Sequence, residues 1–112
     1  MTLELLEAYG GIISNLKAIR AEREALKEFE QIQTGKRFLT IINQLDHAEQ
    51  DQAEALKEIE EWLMQLEDPE MVSIIRWHYI VGYSWSDTNI EVYGYPDNHR
   101  ARKKIFRYFG RE

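Results

Sequence analysis

The chain has 112 residues, 44% hydrophobic and 30% charged, with a net charge of −6 at pH 7 and no cysteine. A chain of this length buries one core without metals or cross-links, its composition is that of a soluble globular protein, and without cysteine there is neither a disulfide framework nor a thiolate site. Its apolar runs fall far short of the roughly 20 residues that span a bilayer, and the acidic start MTLELLEAYG lacks the basic and apolar parts of a signal peptide. No membrane association is expected, and the cytoplasm is the expected compartment.

The charge is unevenly placed. Residues 1–87 carry 8 Lys and Arg against 17 Asp and Glu, a net of −9, whereas residues 88–112 carry 6 against 3, a net of +3. An acidic body with one basic edge binds a polyanion through that edge, in a contact that salt weakens.

In chain order, Leu5, Ile12, Ile19 and Leu26 recur every seven residues, with Tyr9 and Leu16 at the complementary positions until Arg23 interrupts. This spacing predicts an amphipathic helix with an a/d stripe. Gly10-Gly11 marks either a break in it or a close approach by a partner helix, because each glycine costs a helix about 1 kcal/mol relative to alanine.

A second stripe runs through Phe38, Ile42, Leu45, Glu49, Gln52, Leu56, Ile59, Leu63 and Leu66, predicting one long helix from Lys36 to Glu67, loosened where its middle turns polar at Asp46 to Asp51. Gln31 to Gly35 is short enough to reverse the chain and set the two helices antiparallel. The polar gaps leave apolar surface on such a hairpin, so a homo-oligomer, most simply a homodimer, is expected.

Asp68-Pro69 is a helix start, with a buried face expected from Met71, Ile74, Ile75, His78, Tyr79 and Val81 and a stop at Gly82. Ser84 or Ser86 caps a short second helix that buries Ile90 and Tyr93 and ends at Gly94. Pro96 or Asp97 opens a last helix reaching Phe109, with Ala101, Ile105, Tyr108 and Phe109 on its buried side. The expected fold is all-α: an acidic antiparallel helical hairpin over residues 1–67, followed over 68–112 by three short helices in helix-turn-helix order.

In that order the last helix enters the major groove of DNA. Residues 99–111 hold six of the fourteen Lys and Arg residues. Asn98, His99, Arg100, Lys103 and Arg107 are the candidates for reading base edges, and Arg102, Lys104 and Arg111 the candidates for phosphates. Asn98 equally suits a helix cap. A basic helix end also complements the helix dipole, which is the competing explanation of the same residues.

The run Asp68-Pro69-Glu70 followed by Ile74-Ile75-Arg76-Trp77-His78-Tyr79-Ile80-Val81-Gly82-Tyr83-Ser84-Trp85-Ser86-Asp87 resembles the pattern "DP…hLxLRYhxGhSWxEIA…hGY". That pattern belongs to small phage and prophage regulators of the ArpU/RinA-like families, which are similar to region 4 of bacterial sigma factors. The resemblance implies a transcriptional regulator in a bacterial host cell, with duplex DNA as partner and RNA polymerase or another host protein as a second. From Trp85 to Gly94 the spacing is one residue longer than in the pattern, and Thr88-Asn89 stands where a hydrophobic residue and an alanine pack. Either a bulge absorbs the extra residue or the turn is remodelled.

The alternative function is a phage-encoded protein-interaction module, either an inhibitor of a host nucleic-acid-binding protein or a small-terminase-like packaging subunit. His47, His78 and His99 form no spaced metal set, and no strand precedes a glycine-rich phosphate loop. No enzyme activity, metal or cofactor is expected. Core packing accounts for Trp62, Trp77, Trp85 and the surrounding tyrosines.

Overall fold

The computed structural model describes residues 1–29 and 35–111, and among these every regular element is helical. In order they are α1 (Leu3–Glu7), α2 (Tyr9–Lys27), α3 (Lys36–Gln65), α4 (Pro69–Ile75), a π-helical segment (Arg76–Val81), α5 (Trp85–Tyr93) and α6 (Arg100–Tyr108). The reversal expected at Gln31 to Gly35 lies, apart from Gly35, outside the described residues. The chain divides into two compact units, one formed by Met1–Gly10 with Glu58–Glu112 and the other by Gly11–Lys57. The expected boundary at residues 67 and 68 is thus not where this division falls: the first unit takes in residues 1–10 and 58–67 as well.

In the Gly11–Lys57 unit, Ile12, Leu16 and Phe38 are buried. The two polar interruptions of the stripes meet here. Arg23 pairs with Glu49 and, at 3.2 Å, with Asp46, while Arg20 pairs with Glu49 at 3.2 Å. The register of these pairs falls along α3 as it rises along α2. A half-buried pair of this kind adds little net stability but penalises other registers, since slippage would leave a charge without its partner. The loosening expected at Asp46 to Asp51 does not occur; α3 runs through it as one α-helix.

The glycine pair is not itself a break: both residues are helical, in the first turn of α2. Ala8 separates α1 from α2, and a Cβ added at Gly10 or Gly11 would meet nothing within 4 Å. Close approach is therefore not the reason for these glycines. Gly11→Ala is expected to raise stability by about 0.5–1 kcal/mol, because it restricts the unfolded chain at a helical position with open space around it. A shift of the denaturant midpoint to higher concentration is the check.

In the other unit, Leu3, Leu6, Ile59, Met71, Ile74, Ile75, Ala101 and Ile105 form the core. Asp68 starts α4 by accepting from the Glu70 and Met71 N–H groups at 3.1 and 3.2 Å. Past Ile75 the helix widens to the π form and stops at Gly82, whose φ of 94° belongs to the left-handed region. The wider turn breaks the 100° projection used to place side chains, so Val81, expected to be buried, is 55% exposed.

Ser84 Oγ caps α5 by accepting from the Asp87 N–H at 3.1 Å, and Gly94, φ 87°, ends it. With Trp85 as first residue, the inward stripe passes through Thr88 and Asn89, both fully buried. Ile90, expected in the core, is a further 100° round and 43% exposed. The last helix begins at Arg100 and not at Pro96 or Asp97, because Asp97 folds back to accept from the His99 N–H at 2.7 Å. Tyr108, also expected on the buried side, is 52% exposed, with its ring against Trp62 and Phe109 at 5.9 and 5.0 Å between centroids.

Candidate nucleic-acid interface

The basic residues gather on α6, so its attachment decides what they face. Ala101 and Ile105 pack inward. The helix start is held by a side chain from α5: Asn89 Oδ1 accepts from the Ala101 N–H at 3.3 Å, and Asn89 Nδ2 donates to the Tyr95 carbonyl at 2.7 Å. One of the unpaired N–H groups of the first turn is thereby satisfied inside the core, and the turn after Gly94 is tied to the same residue. His99, the residue before α6, makes no side-chain cap of its own.

A charged network anchors one flank. Lys104 Nζ donates to Glu70 at 2.8 Å and pairs with Asp68 at 2.9 Å. The Tyr93 hydroxyl donates to the other Glu70 oxygen. Burial and the Glu70 carboxylate push that phenol up to about 12. Arg100 donates to the Tyr95 hydroxyl at 2.9 Å, and its guanidinium carbon lies 3.8 Å from the Tyr93 ring centroid. Lys104 and Arg100 therefore serve the internal structure of this unit as well as its charge.

The hydrogen bonds and charge of Lys104 hold the Asp68 and Glu70 carboxyls below their ordinary values of 3.8 and 4.5. Because both are lowered in the fold, their contribution is complete above pH 4.5 and fades as pH falls through the lowered folded values. Lys104→Met is accordingly expected to melt below the parent at pH 7, with the gap closing as pH falls below about 4. Parallel thermal melts check it; a gap that stays constant would show that packing, not the ion pairs, sets the difference.

Of the eight residues singled out in the sequence, Asn98, His99, Arg100, Arg102, Lys103, Arg107 and Arg111 are exposed, and Lys104 is half-buried. Asn98 and His99 precede the helix. Two concavities border its outer face. One, of about 320 Å³, holds Arg100, Lys103, Lys104 and Arg107 beside Glu70 and Tyr93; the other, of about 270 Å³, holds His99, Arg102, Lys103, Phe106 and Arg111. Lys103 lines both and makes no ion pair among the described residues. Arg102 lies 4.8 Å over the Phe106 ring, and Arg111 pairs with Glu4. Asn89, Glu70 and Tyr93 were not among the sequence candidates. A buried-stripe position occupied by Asn was the one local signal for the first of them.

No group of three or more His, Cys, Asp or Glu suited to a metal ion occurs among the described residues. No helix there is long and apolar enough to cross a membrane. Set against known proteins, the chain matches no protein-family model, no curated protein and no solved structure.

Proposed function

We propose that this protein is a phage or prophage transcriptional regulator of the bacterial cytoplasm, binding duplex DNA through a C-terminal helix-turn-helix in which α6 is the reading helix. The observation that carries the reading is the division of α6. Ala101 and Ile105 are sealed inside while Arg102, Lys103 and Arg107 point out between two basic concavities. A helix of about nine residues presenting cations in this way suits a major groove, with side chains of its early turns at base edges and the flanking ones at phosphates. Lys104 is left to its internal carboxylates. The falling register of the Arg20, Arg23, Asp46 and Glu49 pairs supports an antiparallel hairpin as the carrier. Exposed Phe29, Leu39 and Ile41 support self-association through it, and RNA polymerase or another host protein is the second partner in this proposal.

The net charge of −9 over residues 1–87 favours a second reading. In it the acidic surface does the work, as an inhibitor of a host nucleic-acid-binding protein or a small-terminase-like packaging subunit. Fluorescence anisotropy on random duplex separates the two. A protein engaging four phosphates loses about a hundredfold in affinity between 50 and 200 mM salt, and that loss is the expected result. Absence of binding at the lower salt would leave the second reading.

A further inference from the structure

On the other side of Phe106 from one basic concavity, the end of α1, the start of α2, the π-helical segment, α5 and α6 border a concavity of about 380 Å³ lined by Glu7, His78, Tyr79, Trp85 and Phe106 together with two glycines. Its wall is aromatic. The Trp85 ring stacks on the His78 imidazole at 3.6 Å and 16°, Tyr79 meets the two edge-on at 5.8 and 4.7 Å, and Phe106 meets Trp85 edge-on at 6.5 Å. His78 Nδ1 lies 2.7 Å from the Tyr83 carbonyl, an acceptor only, so Nδ1 carries the proton. Burial holds this imidazole below its ordinary value, which keeps it neutral near pH 7.

One charged group completes the wall. Glu7 is close enough for its charge to act on both His78 and Tyr79. No Lys or Arg lines the concavity. Ring faces carry negative potential and a carboxylate accepts hydrogen bonds, so the lining as a whole favours a cation that brings N–H donors. A guanidinium is planar, weakly hydrated and rich in donors, and stacks on aromatic faces better than an ammonium. One ring of this wall already does so: the Arg102 guanidinium lies over Phe106.

We propose that this acid-and-aromatic concavity is a binding site for a guanidinium group, the flat cation resting on one ring of the wall, Trp85 or Phe106, while its N–H groups donate to Glu7. The site is independent of the DNA reading and stands or falls separately from it. The same group comes on a small molecule or as an arginine side chain in a peptide, and both are used as probes.

The test is titration of the full chain with ethylguanidinium, with acetyl-Gly-Arg-Gly-amide and with its glutamine counterpart, following the Trp85 indole N–H signal by NMR, assigned with Trp85→Phe. Saturable shifts with at least one guanidinium probe and none with the glutamine peptide are expected. Binding by both probes means that the group alone suffices, and binding by the peptide alone means that the site takes arginine within a chain. Glu7→Gln is expected to weaken binding about tenfold, since it removes the one full charge. The variant keeps the ring system, and its melt checks that the fold is intact. No saturable shift with either guanidinium probe, an equal response to the glutamine peptide, or unchanged affinity in a folded Glu7→Gln variant would overturn the proposal.

Discussion

Asn89→Ala is expected to cost about 2–4 kcal/mol, a large part of the stability of a small domain. The side chain has no exposed surface, and both ends of its amide are used, toward the Tyr95 carbonyl and the Ala101 N–H. Truncation leaves an acceptor and a donor without partners in the interior, at about 1–3 kcal/mol each, and opens a small void besides. Asn89→Asp is expected to be worse, because a carboxylate there faces the Tyr95 carbonyl and places a charge where water does not reach. Ile90→Ala is the control. Its neighbour by one residue is 43% exposed, so its truncation is expected to cost under about 1 kcal/mol despite removing more hydrocarbon. Denaturant midpoints of the three variants give the comparison, and an Asn89→Ala variant no less stable than Ile90→Ala would contradict the role assigned to this amide.

Asn89 also shows where the sequence stops being legible. Starts and stops written in adjacent residues can be read directly: Asp68-Pro69, Gly82, Ser84 and Gly94 all act within a turn of themselves and bound helices where expected. The inward face of α5 could not be read that way. Apolarity points to Ile90, whereas the core uses Thr88 and Asn89, because an amide satisfied at both ends by backbone groups six and twelve residues away packs as well as a hydrocarbon. The π-helical stretch from Arg76 is invisible to any scheme that assumes a fixed angle per residue.

The candidate site divides in the same manner. The cations of α6 were legible as a cluster because they are contiguous. That Lys104 is spoken for by Glu70 and Asp68, 34 and 36 residues earlier, depends on how α4 and α6 dock. The Arg23 and Glu49 interruptions, each a flaw in its own stripe, become intelligible only when the other is alongside.

Replacing Arg102, Lys103 and Arg107 together with glutamine is expected to lower duplex affinity about a hundredfold or more, with a cooperative melt checking that the fold is kept. Glutamine keeps helix propensity and much of the side-chain length, and the choice spares Arg100 and Lys104, whose hydrogen bonds support the fold. The matched control removes the same charge from the Gly11–Lys57 unit, at exposed Lys17, Lys36 and Arg37. Any effect of net charge alone appears equally in both.

The most direct measurement is the slope of log affinity against log salt for the parent and these two triple variants on one duplex. Each phosphate contact contributes about 0.9 to that slope. If α6 is the reading helix, its triple variant shows a slope shallower by about 2–3 and a matching loss of affinity, while the control keeps the parent's slope. Equal slopes for the two variants, or a shallower slope only in the control, would contradict the assignment of α6 as the DNA-binding element.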